Sequence, residues 1–140
     1  MTQSHRSAGF TLIEILVVLT VMGLVAGIAI AAFPQRGGRL DVVTAASDVA
    51  DALRLGRAQS IDFGAPVIFS LDSDGHGFLL GRQHRSLPTT VTAAMAGPAV
   101  IRFDRLGTAN GGVVRIVGRA LAMLVRVDWL TGRVVVEEAS

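Results

Sequence analysis

Residues Phe10 to Phe33 form a 24-residue apolar stretch whose only charged side chain is Glu14. A helix rises about 1.5 Å per residue, so a stretch of this length crosses the hydrocarbon layer of a bilayer. A secretory signal core would be shorter, and no small-residue cleavage site follows this one. The expectation is one membrane-spanning helix over 10–33. Arg6 lies on one side of it and Arg36, Arg39 and Asp41 on the other, so charge does not orient it.

Pro34 and Gly37-Gly38 then bend or break the helix. A second helical pattern follows, giving an amphipathic segment over 34–62. Leu40, Val43, Ala46, Val49, Ala50, Leu53 and Ile61 recur at helical spacing. The two patterns suggest one long helix with a joint near Pro34, half in the membrane and half packed on a domain.

Residues 63–140 read as a β domain. Ala65–Leu71 and Gly77–Gly81 flank Asp72-Ser-Asp74-Gly75, a hairpin-type connection. The stretch Ser86–Pro98 reads as a crossover loop because it holds two prolines. Further runs lie at Ala99–Phe103, Gly112–Val117, Leu121–Asp128 and Gly132–Glu137, separated by glycine turns. Six or seven short strands with one helix against them predict an α+β fold. The long N-terminal helix would pack its amphipathic half on a small antiparallel sandwich or meander.

Cysteine is absent, which excludes a disulfide framework and a thiolate metal site. His5, His76 and His84 stand outside any HExxH or GxSxG setting, so no catalytic residue is assigned and no enzyme is expected. Asp72 and Asp74 echo a calcium loop, but such a loop needs further oxygen ligands and a glutamate at position twelve, and Leu80, Gly81 and Arg82 follow instead. A plain turn is expected, with no metal and no cofactor. All 13 basic residues are arginine, and the net charge is +2. Arg102, Arg105, Arg115, Arg119, Arg126 and Arg133 outnumber Asp104 and Asp128 in the last strands. A basic strand surface can hold phosphates, but stacking aromatics are scarce: Phe103 and Trp129 are the ones nearby. Solvated outward strand faces explain the arginines as well, and nucleic acid is not expected as a partner. Gly23 and Gly27 form a small-xxx-small pair, a spacing that permits close helix packing and that also arises by chance in a Gly/Ala-rich span.

The N-terminal constellation carries the functional information. A short polar leader, Met1 to Gly9, ends at the border of the apolar run, and Glu14 lies five residues in when Phe10 counts as one. A carboxylate inside an apolar helix costs several kcal/mol unless it finds a partner. If the chain is cut after Gly9, Phe10 acquires a charged amine. That amine does not easily reach its own Glu14, because the two lie about a turn apart on one rigid helix. A neighbouring subunit displaced along the axis can bring its amine to this Glu14, which would set the register of a helical assembly.

The segment Gly9-Phe-Thr-Leu-Ile-Glu14-Ile-Leu-Val-Val-Leu closely resembles the class III signal of type IV pilins and type II secretion pseudopilins. Leu53-Arg-Leu-Gly-Arg-Ala58, then Ile101-Arg-Phe103, Gly107, Gly111-Gly112 and Thr131-Gly-Arg-Val134, resemble the minor subunits grouped as GspH/FimT. The resemblance implies a leader over 1–9 cut by prepilin peptidase between Gly9 and Phe10, N-methylation of Phe10, and an assembly role for Glu14. It also implies an inner-membrane anchor, a periplasmic domain, and other minor and major pseudopilins as partners. The function implied is a minor pseudopilin at or near the tip of a type II secretion pseudopilus. The alternative is a FimT-like minor pilin of a type IV pilus, a kind of subunit linked to DNA uptake. One position departs from the pattern: many relatives carry a proline where this chain has Ala31, and Pro34 comes three residues later.

The junction predicts a mature chain that starts at Phe10 and is methylated there. Intact-mass measurement of protein from a host with the peptidase should show loss of residues 1–9 and one added methyl. A chain still starting at Met1 in that host would remove the basis for a pilin-type processing site.

Overall fold

The computed structural model describes residues 11–32 and 37–140. The chain divides into two compact units, Met1–Gln35 and Arg36–Ser140. The first contains helix α1, Leu12–Ala32. The second contains helix α2, Gly37–Asp62, and eight strands. Pro34, the expected joint, lies outside the described residues.

Helix α2 has a face of small and medium apolar residues. Val42, Ala45, Ala46, Val49, Ala50 and Leu53 are fully buried. Their spacing of three and four keeps them on one side of a helix of 3.6 residues per turn. This corrects the stripe expected from sequence at its two ends. Leu40, Val43 and Ile61 are exposed, while Val42, Ala45, Ala52 and Ser60 point inward. Apolar residues occur on both sides of this helix, so periodicity alone does not fix the inward phase; the sheets select the face whose small residues let them approach. Gly56 shows the tightness: a Cβ there would lie 2.7 Å from Leu80 Cδ1. Ser60, the one buried polar residue among the described residues, donates its hydroxyl to the Arg57 carbonyl at 2.8 Å. The helix ends where Phe63 N–H bonds the Gln59 carbonyl and Gly64 turns to φ 59°, a left-handed stop.

Two four-stranded antiparallel sheets close on α2. The strands are β1 Val67–Leu71, β2 Gly77–Leu80, β3 Gln83–Ser86, β4 Thr92–Ala96, β5 Val100–Phe103, β6 Gly112–Val117, β7 Ala122–Val127 and β8 Val134–Glu138. One sheet has the order β3-β2-β1-β5 and the other β4-β6-β7-β8. The chain therefore leaves the first sheet at β4, returns at β5, and leaves again at β6. Register places Phe69 opposite both Leu80 and Ile101, and Val125 opposite both Val114 and Val136. With a side-chain period of two, these positions form the inner faces. Phe69 and Phe78 pack at a ring-centroid distance of 5.3 Å.

The stretch 86–98 is not the simple crossover loop expected. It contains β4, which pairs with β6 from Thr92↔Val117 to Ala96↔Val113. β3 was not legible either. Its four residues are all exposed, so an edge strand carries no alternation of apolar and polar residues. The β1–β2 turn also differs from a bare hairpin turn. Asp72 Oδ2 meets His84 Nε2 at 2.7 Å, and Asp74 accepts the His76 amide at 2.9 Å. His76 donates Nδ1–H to the Val91 carbonyl at 2.9 Å, so both histidines are engaged in structure.

Residues Arg36–Ser140 should fold when expressed alone, because this unit contains the whole buried core. Gly132→Ala should then cost a few kcal/mol in a denaturant melt. Gly132 sits at φ 64°, and a side chain there would collide with the Gly107 carbonyl oxygen. Gly64→Ala is the control. It has the same backbone strain but open space around it, and should cost only about 1 kcal/mol.

Candidate functional site

Glu14 is the single charged residue of α1. It stands three residues after Thr11, whose carbonyl and hydroxyl both accept the Glu14 amide, at 3.0 and 3.3 Å. Thr11 thus caps the helix start, and an acid in the first turn suits the helix dipole. Threonine followed three residues later by glutamate at the head of an apolar run is a start signal visible in the sequence, though the reading by pilin resemblance passed over it. Gly9 and Phe10, the expected cleavage and methylation positions, lie outside the described residues.

Every described side chain of α1 is exposed, including Leu12, Ile13, Leu16 and Leu19. Thr20 turns its hydroxyl back to the Leu16 carbonyl at 2.7 Å, so it presents no unsatisfied donor to an apolar surrounding. The side chains described end at Gly27, and among the described residues no helix is long and apolar enough to cross a membrane. The anchor read over 10–33 extends past that limit at both ends. The physical content of the site is therefore an uncovered apolar helix with one carboxylate near its start. Such a surface needs lipid or other helices around it.

The matches to known proteins follow this division. Residues 4–30 match the Prokaryotic N-terminal methylation motif. The fold is similar to the type IV minor pilin FimU of Pseudomonas aeruginosa PAO1. That match has a TM-score of 0.62 and 16% identity, and it covers 71% of this chain and 90% of the other. It is also similar to the minor pseudopilin EpsH of the Type 2 Secretion System of Vibrio cholerae, with TM-score 0.59 and 12% identity over 70% of this chain and 97% of the other. This chain has a prokaryotic N-terminal methylation motif and a fold similar to that of these minor pilins. No curated protein matches this pilin-like chain significantly by sequence. The structural likeness extends to both filament systems and does not separate them.

The strand arginines of this pilin-like fold do not form one surface. Arg102 faces outward on the first sheet, paired across from Ile68. Arg115 and Arg126 face outward on the second, interleaved with Leu124 and Val135. Arg119 lies in the turn beside Gly118, which packs against Val42 and Gly38 at the start of α2. Arg105 and Arg133 lie in turns at the other end of α2. The basic strand surface suggested by counting is therefore dispersed, and Phe103 is fully buried, which removes it as a stacking platform.

At the C-terminal end of α2 three segments meet. Arg57 donates Nε–H to the Gly107 carbonyl at 3.1 Å. Gly107 and Gly132, both at positive φ, approach that same arginine, and Gly107 also rests on Ile61. An open cleft of about 500 Å³ lies there, lined by Arg54, Arg57, Ile61 and residues 131–134. The sequence pattern marks Arg57, Gly107 and Thr131–Val134 only as separate pieces of the GspH/FimT resemblance; their meeting was not legible because the three parts are distant in the chain.

Two aspartates fasten the turns. Asp104 accepts the Thr108 hydroxyl at 2.6 Å and the amides of Leu106 and Thr108. The Thr108 hydroxyl bond first, then the amides, hold its carboxyl below the usual carboxylate range. Asp128 accepts the amides of Leu130 and Thr131 and the Thr131 hydroxyl. The Thr131 amide bond is the leading cause of its lowered pKa, and Arg133 adds to it. A carboxyl depressed in the folded state stabilises above its unfolded pKa and loses that contribution as pH falls through its folded pKa. Acidification below the usual carboxylate range should therefore loosen these turns. Asp104→Asn with Asp128→Asn should lower stability at neutral pH and flatten its fall toward acid, as read by melts of the Arg36–Ser140 unit at stepped pH. An acid limb identical to that of the unchanged protein would show that these bonds do not contribute.

Proposed function

We propose that this protein is a minor pseudopilin of a type II secretion system, a structural subunit without catalytic chemistry. In this reading prepilin peptidase cuts between Gly9 and Phe10, Phe10 is methylated, and the helix over 10–33 anchors the subunit in the inner membrane. The β domain occupies the periplasm, and the subunit joins other minor and major pseudopilins at or near the tip of the pseudopilus. The observation that carries the reading is the lone Glu14 on an uncovered apolar helix inside a methylation motif. The desolvated carboxylate would receive the Phe10 amine of a neighbouring subunit, an attraction strong in an apolar surrounding. The H-type choice is supported by the GspH/FimT sequence pattern and by the 97% of the EpsH chain that the fold match covers. The FimU likeness supports the second reading, a FimT-like minor pilin of a type IV pilus.

Glu14→Gln keeps the size and polarity of the side chain and removes its charge. The variant should remain in the membrane at native level, because loss of a buried charge does not weaken insertion. Its incorporation should fall about tenfold or more, since the neighbour's amine would be buried without a counter-ion. Cross-linking to filament subunits and export of a secreted enzyme measure the two effects. Unchanged cross-links and export would show that the charge pair does not recruit this subunit. Which filament's subunits cross-link to the unchanged protein decides between the two readings.

A further inference from the structure

The C-terminal end of α2 exposes large apolar side chains that the fold does not use. Phe63 is 72% exposed, Leu106 78%, Trp129 66%, Leu130 59% and Ile61 50%. They come from three separate segments that the structure brings to one end. Ile61 rests on Gly107, next to Leu106. Gly64 and Leu106 line one hollow, and Ile61 lines the cleft with residues 131–134. The Ala109 amide bonds the Trp129 carbonyl at 3.1 Å, which joins the β5–β6 segment to the β7–β8 turn. Single exposed apolar residues are ordinary; five at one end, two of them aromatic, mark an interaction site.

The turns that carry them are preorganised. Asp104 and Asp128 hold the 104–108 and 128–131 turns by hydrogen bonds made with the side chains. Arg57 ties the helix end to Gly107. Ordering such loops before contact lowers the entropic cost of binding. The charges around the patch favour one kind of partner. Arg102, Arg105 and Arg133 make no ion pair among the described residues, whose pairs are Arg39–Glu138, Arg54–Asp51, His84–Asp72 and Arg85–Asp48. The carboxylates of Asp104 and Asp128 are turned into their own turns, which leaves the guanidinium groups as the outward charges. They remain too close to those carboxylates for a strong positive field, and Phe63 and Trp129 are the two side chains of the patch on which a base could stack, against three aliphatic ones. A polyanion is therefore a poorer fit than a protein.

We infer that this end is a docking surface for a neighbouring filament subunit that presents an apolar patch rimmed by carboxylates. The inference rests on the reading of the chain as a filament subunit. Helix α2 is 26 residues long, so the patch lies about 39 Å along the helix from Gly37, where the chain enters this unit. The patch belongs to the Arg36–Ser140 unit and Glu14 to the other, so it would add a second point of attachment.

The test uses the full processed chain in detergent. Each other pilin-like subunit of the same host is purified and titrated against it one at a time. One of them should bind the unchanged chain. Leu106→Ser with Trp129→Ser should weaken that binding about tenfold or more, as truncation of central apolar anchors does. Arg105→Glu with Arg133→Glu should weaken it as well, while Arg115→Glu, on the outer face of the second sheet, should leave it unchanged. Circular dichroism melts accompany each variant; if the double serine variant melts early, Leu106→Ser and Arg105→Glu are used singly. Equal affinities in all variants would overturn the docking surface. So would the absence of any binding subunit. If Glu14→Gln still drops out of the filament in cells, the filament reading survives that failure; if Glu14→Gln is also without effect, both fall. A DNA duplex or a single-stranded oligonucleotide held at physiological salt and released by the arginine reversals, with no subunit bound, would assign the surface to nucleic acid instead.

Discussion

The close approach of two sheets to one helix is the contact on which the rest of the domain depends. Val42, Ala45, Ala46, Val49, Ala50 and Leu53 offer a nearly smooth face, and Gly56 lets Leu80, Val67 and Phe103 come closer than any side chain would permit. Larger residues on that face would push the sheets outward and open the core, and an overpacked site typically costs about 1–3 kcal/mol. Because the helix supplies one wall of the core for both sheets, neither sheet needs to cover the other fully. This is how a unit of modest length buries Phe69, Phe103, Ile101, Ile116 and Val125 completely.

The same contact fixes where the ends of the domain lie. The helix is long, so its two ends gather different loops. Gly118 packs on Val42 and Gly38 at the start, while Gly107 and Gly132 close on Arg57 and Ile61 near the finish. The arginines that look like one basic group in the sequence are sorted to opposite ends and opposite sheet faces by this arrangement. Two consequences follow for function. The polyanion reading loses its contiguous surface, and the apolar tips of three turns become neighbours. Helix α1 adds a different chemistry in its own unit: a continuous apolar surface interrupted by one carboxylate, suited to lipid or to other helices.

Much of the chain was legible before any coordinates. The apolar run with Glu14, the helical pattern that ends before Phe63, the Asp72–Gly75 turn and the runs 99–103, 112–117, 121–128 and 132–137, which overlap β5 to β8, follow from local periodicity and turn residues. The failures share a cause. β3 is an exposed edge strand of Gln83, His84, Arg85 and Ser86, and β4 is built largely of alanine and threonine between prolines. Neither buries enough to leave a pattern. Their strand character comes from backbone pairing with β2 and β6, which no local property announces.

The sequence by itself carries the polar-to-apolar border of the N terminus and the lone Glu14 of its apolar run, because these are local facts. It also determined the fold class, since period 3.6 gives way to period 2 near Phe63. Only the tertiary structure decided which face of α2 is inward, since apolar residues on both sides leave the phase open until the sheets choose the smaller one. The histidines and the distal end were decided there as well. His84 finds Asp72 across a hairpin, and Arg57 finds Gly107 fifty residues away. Contacts at that separation depend on the path of the whole chain, so the patch formed by Phe63, Leu106 and Trp129 exists only once α2 has drawn the two sheets together.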